Sequence, residues 1–394
     1  MTLSNSGAMH RGVWALAVAA FAIGVAEFIV VGVLPAIARD FGRPLADVGS
    51  LVGGYAFMLA VGTPIIVLML AHCSRKRLLL GLIAFFLVGN LISALAAYYP
   101  ILLLGRLVTA VAHGSFFAVG ATVAARLAPA GQASRAIALM FAGLTLAMVI
   151  GVPLGSLIGN HLGWRLPFYA IVVLAILALV SLMKWVPELP PSDGTRLPEA
   201  LSSLTHLPIL AMMSITILGF GASFAAFSFI TPILTDISGF STSSASILLV
   251  VFGVATLVGN LLGGRLAAQW GWSVALTRLL MLLIVALIAL AIAIPYRLPM
   301  MIVLFLWGML AFGMSPGFQA GMLETAERWA PRAVDFASAL NISAFNLGIA
   351  LGESLGSILV AYNKMAMTPW VGIVMAALAQ LPLAWLAFKT SQKD

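Results

Sequence analysis

Charged residues and cysteines are scarce in this sequence. Only 8% of its 394 residues are Asp, Glu, Lys or Arg, and 62% are hydrophobic, whereas a soluble domain carries about 25% charged residues. A chain of this composition cannot solvate its own exterior, which excludes a soluble globular protein. The single cysteine, Cys73, excludes internal disulfides and a cysteine-rich metal site.

Motifs for nucleotide chemistry and hydrolysis are missing as well. The sequence contains no G-x-x-x-x-G-K-[ST] and no H-E-x-x-H, so it has neither a P-loop for ATP nor the signature of a membrane metalloprotease. No metal, nucleophile or cofactor cluster indicates an enzyme, and no soluble domain indicates a sensor. The net charge of +8 is not concentrated in a soluble domain, so we expect no nucleic-acid partner.

Long apolar runs occupy most of the chain. Runs of 20 or more apolar residues recur, and each is long enough to cross ~30 Å of hydrocarbon as a helix. The first of them is too long for a signal-peptide core, so we expect it to remain as an uncleaved span. Twelve spans are predicted, at residues 13–37, 48–70, 78–98, 101–125, 134–159, 166–187, 208–232, 244–267, 273–294, 299–323, 334–361 and 368–388.

The distribution of basic residues predicts the orientation of these spans. An even number of spans places both termini on one side of the membrane. Fourteen Lys and Arg residues lie in segments on that side and five in segments on the other. Because cytoplasmic segments carry the excess of Lys and Arg, both termini are predicted to be cytoplasmic. We expect a multi-pass monomer in a bacterial inner (plasma) membrane, whose partners are lipid, protons and a small-molecule substrate.

A polar segment near the middle divides the chain. Residues 188–206 are rich in Pro and Ser and predict a cytoplasmic linker between one six-helix half at 1–187 and another at 207–394. The halves repeat one plan, since an offset of 201 maps G-V-P-L-G-S at 151–156 onto G-E-S-L-G-S at 352–357. We therefore predict an all-α membrane protein with twelve transmembrane helices in two halves related by a parallel repeat, a plan seen in secondary transporters.

Small residues recur at every fourth position in the fifth span. Gly151 and Gly155 would lie on one face of a helix, where residues without side chains let another backbone approach closely. Pro153 removes a backbone donor between them and favours a local bend. Gly352 and Gly356 occupy the equivalent positions of the second half, so close helix packing is predicted in both halves.

Four ionisable side chains are predicted at bilayer depth, where such groups are costly and usually functional. Counting residues from the outer end of their spans places Glu27 and His113 at the same depth, ~18–20 Å from the outer surface at 1.5 Å per residue. Arg106 shares a helical stripe with His113, and Glu353 stands where the first half has Val152.

Glu27 is the preferred candidate for a proton carrier, with His113 as modulator or relay. The alternatives are a Glu27 that only accepts hydrogen bonds and a His113 that only packs. Arg106 either binds substrate, neutralises a helix end or pairs with Glu27. Glu353 is either functional, next to Asn346 on the same face, or a polar residue near a helix mouth.

Aromatic and small polar side chains predict the wall of a substrate cavity. Drug sites use apolar and aromatic walls, whereas sugar sites need several convergent polar groups, and the inventory here leans toward drugs. Plain packing is the alternative for aromatic residues at helical spacing. The predicted lining residues are Tyr55, Phe117, Phe224, Phe227, Ser228, Thr231 and Asn346.

Several motifs resemble those of the major facilitator superfamily, in its drug:proton antiporter branch. Residues 143–159 resemble the fifth-helix antiporter motif, with its G-x-P-x-G core at 151–155. Gly105 and Arg106 match the fourth-helix arginine motif, and this resemblance implies a role for the arginine in proton coupling. Similarity to bacterial arabinose and sugar efflux permeases and to chloramphenicol exporters rests on residues 26–35, 112–120, 163–168 and 345–348.

The loop between spans 2 and 3 departs from the pattern of that family, G-x-x-x-D-R-x-G-R-R. The sequence A-H-C-S-R-K-R keeps the basic cluster of Arg75, Lys76 and Arg77 but has His72 near the position of the acid. The second half has Ala268 at that position. A cytoplasmic gate at 75–77 is therefore expected without its usual acid; alternatively, these residues only enforce the orientation.

Together these features predict a proton-coupled efflux transporter that works by alternating access. It is expected to need no cofactor and no metal, because the proton gradient supplies the energy. The substrate is expected to be an amphipathic drug or a sugar-like metabolite. A passive facilitator for a sugar or nucleoside is the alternative, followed by a membrane-embedded enzyme or receptor.

Overall fold

The protein is a bundle of long apolar helices. The computed structural model describes residues 9–43, 48, 50–189 and 197–391, which form helices and no strands. Within that part of the chain, eleven helical segments are long and apolar enough to cross a membrane, and Gly54–Met69 forms a shorter apolar one. One of the eleven, Arg297–Trp329, contains two consecutive helices. The long helices are α1 (Arg11–Asp40), α2 (Ser50–Met69), α3 (Arg75–Ala94), α4 (Tyr99–Leu127), α5 (Ala133–His161), α6 (Arg165–Trp185), α7 (Leu207–Phe227), α8 (Thr242–Trp270), α9 (Trp272–Ala293), α10 (Arg297–Gly313), α11 (Ser315–Trp329), α12 (Val334–Ala361) and α13 (Thr368–Ser391).

Local sequence signals set many of the helix boundaries. Ser241 precedes α8, and its hydroxyl accepts a hydrogen bond of 3.1 Å from the backbone N–H of Ser244. Proline stands in the first turn of α4 and of α7, where its missing N–H has no intrahelical partner to lose. Gly271 separates α8 from α9 with φ of 79°, a left-handed conformation that glycine adopts without strain.

Two of the predicted spans are broken, contrary to the continuous runs expected at 208–232 and 299–323. α7 ends at Phe227 and is followed by a helical turn at Ile230–Pro232 and a π-helix at Ile233–Ile237. α10 ends at Gly313 and α11 begins at Ser315. Pro232 and Pro316 lack the N–H that would bond four residues back, so each break lies within one turn before a proline.

The chain forms two compact units. Unit 1 comprises the described residues up to Ala200 together with Arg332–Ser343, and unit 2 comprises Leu201–Pro331 together with the described residues from Ala344 onward. The first turns of α12 therefore pack with unit 1 and the rest of α12 with unit 2. The short helix Leu197–Ser203 lies inside the predicted linker.

Both units contain a helix crossing with little or no side chain at the contact. In unit 1, a Cβ added to Gly24 of α1 would lie 2.8 Å from the Cβ of Ala147 of α5. In unit 2, a Cβ added to Gly348 of α12 would lie 3.2 Å from the backbone nitrogen of Gly221 of α7. Offsets of 197 and 201 relate these two pairs, so the repeat seen in the sequence recurs as one helix crossing in each unit.

The close packing extends along α12 through the second copy of the glycine motif. A Cβ on Gly352 would meet the carbonyl oxygen of Gly221, and a Cβ on Gly356 would meet the carbonyl oxygen of Ala225. Residues 151–155 of the first copy, Gly151, Pro153 and Gly155 among them, lie within α5. Their side-chain surroundings fall outside the described part of the chain.

A charged and aromatic cluster ties helix ends together in unit 1. Asp40, the last residue of α1, accepts hydrogen bonds from the indole of Trp164 at 3.0 Å and from the guanidinium of Arg165 at 2.9 Å. Arg165 also donates to the carbonyl oxygen of Ala96 at 3.0 Å, just after α3. The start of α6 is thereby joined to the ends of α1 and α3.

Candidate functional site

Arg106 of α4 is buried against α1 and α2. Its Nη1 donates a hydrogen bond of 2.8 Å to the carbonyl oxygen of Ala26, the residue before Glu27. Its guanidinium carbon lies 4.1 Å from the ring centroid of Tyr55, within the range of a cation–π contact. Glu27 is half-buried and interacts electrostatically with Arg106. The predicted spans thus bring a carboxylate and a guanidinium together within unit 1.

His113 lies two turns further along α4, and its ring contacts two aromatic side chains, Tyr55 and Phe117. The hydroxyl of Tyr55 is 2.8 Å from its Nδ1. The ring of Phe117 lies 5.0 Å from the imidazole and stacks on Phe141 of α5 at 5.4 Å. Contacts therefore join Tyr55, Arg106 and His113, and Glu27 interacts electrostatically with Arg106. We call these four residues the coupling cluster.

Tyr55 and Phe117, two of the predicted cavity residues, are buried beside His113, and their place in a cavity wall stays a prediction. Tyr55 is 3% exposed and Phe117 2% exposed, and both contact His113 within unit 1. The site prediction for these residues rested on their amphipathic or aromatic character alone. Tyr55 was not expected to contact Arg106 or His113, because only the packing of α2 against α4 creates those contacts.

Arg75 of the predicted gate is buried and forms an ion pair with Asp335 of α12. Its Nη1 also lies 3.3 Å from the hydroxyl of Thr122 of α4. Both partners belong to unit 1, since α12 contributes its first turns to that unit. Arg75 thus has a carboxylate partner at the start of another helix.

Two serines fasten the same part of α12 to unit 1. Ser338 donates to the carbonyl oxygen of Ala118 at 2.7 Å, and Ser343 donates to the carbonyl oxygen of Ala60 at 2.6 Å. Sequence reasoning missed Asp335 and both serines. The signal for Asp335 was present, because it is one of only 12 acidic residues and stands at the start of a predicted span.

The other two basic residues of the loop have different surroundings. Lys76 lies 3.9 Å from the carboxylate of Glu188, which is largely exposed. Arg77 is exposed. Only Arg75 of the three is therefore part of a buried contact among the described residues, and a gate formed by the three residues stays a prediction.

Unit 2 contains a cluster of aromatic rings around α7. Phe224 contacts Phe220 at 5.1 Å and Phe227 at 5.7 Å between ring centroids. Phe227 stacks on Phe252 at 4.8 Å. The indole of the buried Trp307 donates to the hydroxyl of Ser223 at 3.2 Å. Phe312 and Phe345 complete the cluster, each through Phe220.

The remaining predicted site residues belong to unit 2 and are half-buried or exposed. Phe224 and Phe227 are half-buried, so part of each ring is accessible beside the cluster. Ser228, Thr231 and Glu353 are exposed, and Asn346 is half-buried. Glu353 and Asn346 both lie on α12, in the part that belongs to unit 2. The described residues contain no group of three His, Cys, Asp or Glu side chains suited to a metal ion.

Comparison with known proteins gives the family. Residues 16–328 match the description of the Major Facilitator Superfamily. The chain is 38% identical over 372 residues to YtbD, an MFS-type transporter of Bacillus subtilis, covering 94% of each chain. It is 35% identical over 381 residues to YdhP, an inner membrane transport protein of Escherichia coli K12, covering 96% of each. The chain belongs to the major facilitator superfamily.

Solved structures of major facilitator proteins show the same fold. FucP in its outward conformation matches with a TM-score of 0.78 at 16% identity, over 95% of this chain and 98% of that one. The human organic anion transporter MFSD10 matches with a TM-score of 0.75 at 15% identity, over 95% and 99%. The predicted fold of twelve transmembrane helices in two repeated halves is confirmed, and the protein is a multi-pass membrane transporter rather than an enzyme.

Proposed function

We propose that this major facilitator protein exports small molecules in exchange for protons. The observation that carries the proposal is the coupling cluster, in which contacts join Arg106, Tyr55 and His113 within apolar helices and Glu27 interacts electrostatically with Arg106. Ionisable groups at such positions in a membrane are costly and are typical of proton and substrate pathways. Glu27 is the proton carrier in this proposal, and His113 tunes it.

The charge balance between Glu27 and Arg106 provides a physical basis for coupling. An ionised Glu27 compensates the guanidinium, whereas a protonated Glu27 leaves Arg106, among the described residues, with the Ala26 carbonyl and the Tyr55 ring. The two protonation states therefore favour different arrangements of the surrounding helices. A proton gradient shifts the population between them, which is the requirement for coupled alternating access.

Arg75 and Asp335 supply the second part of the proposed cycle. The ion pair and the bonds from Ser338 and Ser343 fasten the start of α12 to unit 1. We propose that these contacts form a cytoplasmic gate that opens and closes once per cycle. Asp335 then replaces the acid that the loop motif lacks.

The aromatic cluster of unit 2 supports the proposal that the substrate is amphipathic. Phe224 and Phe227 present partly accessible rings, whereas the buried polar pair of that cluster, Ser223 and Trp307, is already satisfied internally. Sugar sites need several convergent polar groups. We therefore place amphipathic drugs ahead of sugar-like metabolites among the proposed substrates.

Transport by the purified protein in liposomes tests the proposal. Ethidium and L-arabinose are offered as probes while a trapped pH-sensitive dye reports proton movement. Proton movement that depends on a probe, and uphill accumulation of that probe under an imposed pH gradient, is the expected result. Movement of a probe down its gradient without proton movement would instead identify a passive facilitator.

The proposed site of action is the bacterial inner membrane, with both termini and the linker in the cytoplasm. A Cys73→Ser background makes labelling straightforward, because the sequence has only one cysteine. A cysteine introduced at Ser192 is expected to react with a membrane-impermeant thiol reagent only after the cells are opened. Reaction in intact cells would contradict the orientation.

A further inference from the structure

Tyr55 occupies a connecting position in the coupling cluster. Its side chain is 3% exposed, and a buried tyrosine hydroxyl usually has a hydrogen-bond partner. The partner is Nδ1 of His113, at 2.8 Å. The ring face of the same side chain lies 4.1 Å from the guanidinium carbon of Arg106. One residue of α2 thus contacts both basic residues of α4.

We infer that Tyr55 is a positioning residue that fixes the proton on one nitrogen of His113 and links that proton to the charge of Arg106. The inference rests on the proposed proton coupling, which it deepens. A neutral imidazole has one donor and one acceptor nitrogen, and the bond at one nitrogen selects the tautomer. A hydroxyl that donates to Nδ1 requires the proton of His113 to be on Nε2.

The two contacts of Tyr55, one at its ring face and one at its hydroxyl, make its position depend on Arg106. Its side chain has only two torsions. Its ring contacts Arg106 and its hydroxyl contacts His113. A change in the charge of Glu27 acts first on Arg106, which interacts with it electrostatically. A shift of the guanidinium over the ring then moves the hydroxyl relative to Nδ1. The chain of direct contacts runs from guanidinium to imidazole, and the carboxylate acts on it electrostatically.

Among the described residues, the charge that acts on His113 is Arg106 of α4 itself. Glu27 of α1 acts electrostatically on Arg106 and on Tyr55 of α2. The side of the imidazole away from Tyr55 contacts Phe117, which stacks on Phe141 of α5. The apolar contact leaves the hydroxyl of Tyr55 as the hydrogen-bond partner that the structure gives to Nδ1.

Nitrogen-15 NMR of the histidine side chains tests the inference without any transport measurement. The full-length protein is labelled at its five histidines, and His113→Gln identifies the resonances of His113. Tyr55→Phe keeps the ring over which Arg106 lies and removes only the hydroxyl. We expect this variant to change the ratio of the two His113 tautomers by about fivefold, the effect of one net hydrogen bond. An unchanged ratio in a folded Tyr55→Phe protein would overturn the inference.

Tyr99→Phe is the matched control. Tyr99 is also a buried tyrosine of unit 1 with an arginine over its ring, since the guanidinium carbon of Arg43 lies 4.8 Å from its centroid. It lies at the start of α4, outside the coupling cluster. We expect no change at His113 in this variant. A change equal to that of Tyr55→Phe would show a general response to lost hydroxyl groups and would overturn the assignment to Tyr55.

A pH profile in liposomes tests the link to coupling. We expect Tyr55→Phe to shift the pH of half-maximal uphill transport of the probe, ethidium or L-arabinose, relative to both the wild type and Tyr99→Phe. An unshifted profile alongside an altered tautomer ratio would overturn the link between Tyr55 and coupling. If the wild-type protein moves no protons at all, the proposed function fails, and the tautomer ratio still decides whether Tyr55 positions His113.

Discussion

Arg75 and Asp335 form an ion pair whose side chains are only 2% and 5% exposed. The arginine begins α3 and the aspartate lies in the first turn of α12, so the pair fastens two helices that are distant in the sequence. Removing one member of a buried pair leaves an uncompensated charge. The stability of this contact should therefore depend on both residues jointly.

Asp335→Asn is expected to lower the free energy of unfolding by about 3–5 kcal/mol, because Arg75 would remain buried without its counter-ion. The double variant Arg75→Gln with Asp335→Asn should recover part of this loss, since no charge is then left unpaired. Thermal melting of the detergent-purified proteins measures both effects. Additive losses would show that the two side chains do not depend on each other.

The exposed pair of Arg332 with Glu199, at 3.3 Å, provides the control for this experiment. Arg332 is 75% exposed, and water screens such pairs to within about 1 kcal/mol. Glu199→Gln should therefore melt close to the wild-type temperature. An equally large loss there would point to a general sensitivity of the region rather than to burial of the charge.

Glu27→Gln is expected to abolish uphill accumulation while exchange of substrate survives. The amide keeps the size and hydrogen bonding of the carboxyl but neither binds nor releases the proton. Rates are compared in liposomes under an imposed pH gradient. Glu324→Gln, which removes an exposed carboxylate of α11, is the matched control and should retain accumulation.

His113→Gln should have a smaller effect than Glu27→Gln, namely a shifted pH optimum, if the imidazole only tunes the carboxylate. Near wild-type accumulation by the Glu27→Gln protein would move the proton site elsewhere. Glu353 is then the next residue to test.

Gly348→Ala is expected to be strongly destabilising. The added methyl group would lie 2.6 Å from the carbonyl oxygen and 3.1 Å from the Cα of Ile217, and backbone atoms cannot rotate away. Overpacking of this kind costs about 1–3 kcal/mol or more. Gly81→Ala in α3 is the control, because a Cβ there would have no neighbour within 4 Å. Comparable melting temperatures for the two variants would contradict the close crossing.

The pH dependence of stability should reveal the role of Asp40, which lies beyond the predicted span 13–37. Hydrogen bonds from Trp164 and then Arg165 hold the pKa of this carboxyl below its ordinary value. Its contribution is therefore fully present above the unfolded pKa of about 3.9 and is lost as the pH falls through the lower folded value.

Asp40→Asn is accordingly expected to lower the melting temperature at pH 7 by about 1–2 °C. The effect is small because the side chain is 44% exposed. The difference from wild type should shrink as the pH is lowered below 4. A deficit of equal size at both pH values would show that charge is not involved.

Most of the fold follows from apolar periodicity and length. The predicted start of span 12 at residue 368 coincides with the start of α13 at Thr368, and span 11 coincides with α12. The breaks in spans 7 and 10 were missed, although Pro232 and Pro316 provided a signal. Apolar runs predict that a segment lies in the membrane, but not where its backbone hydrogen bonds are interrupted.

The candidate site was predictable only in part. Glu27, Arg106 and His113 stand out because ionisable residues are rare in apolar spans, and pairing of Glu27 with Arg106 was one of the alternatives left open. The partners Asp335 and Tyr55 depend on which helices pack together. Asp335 was overlooked because the acid was sought in the loop, whereas tertiary packing supplies it from a helix that begins far along the chain.

At the equivalent positions Ala147 and Gly348, the crossings of α1 with α5 and of α7 with α12 differ by one methyl group. Duplicated genes can exchange sequence between their copies, which keeps repeats alike over evolutionary time. Transfer of the alanine codon into the second copy would place a methyl group against the backbone of Ile217. At this position the alanine of the first half cannot replace the glycine of the second, although both halves encode the same pair of crossing helices.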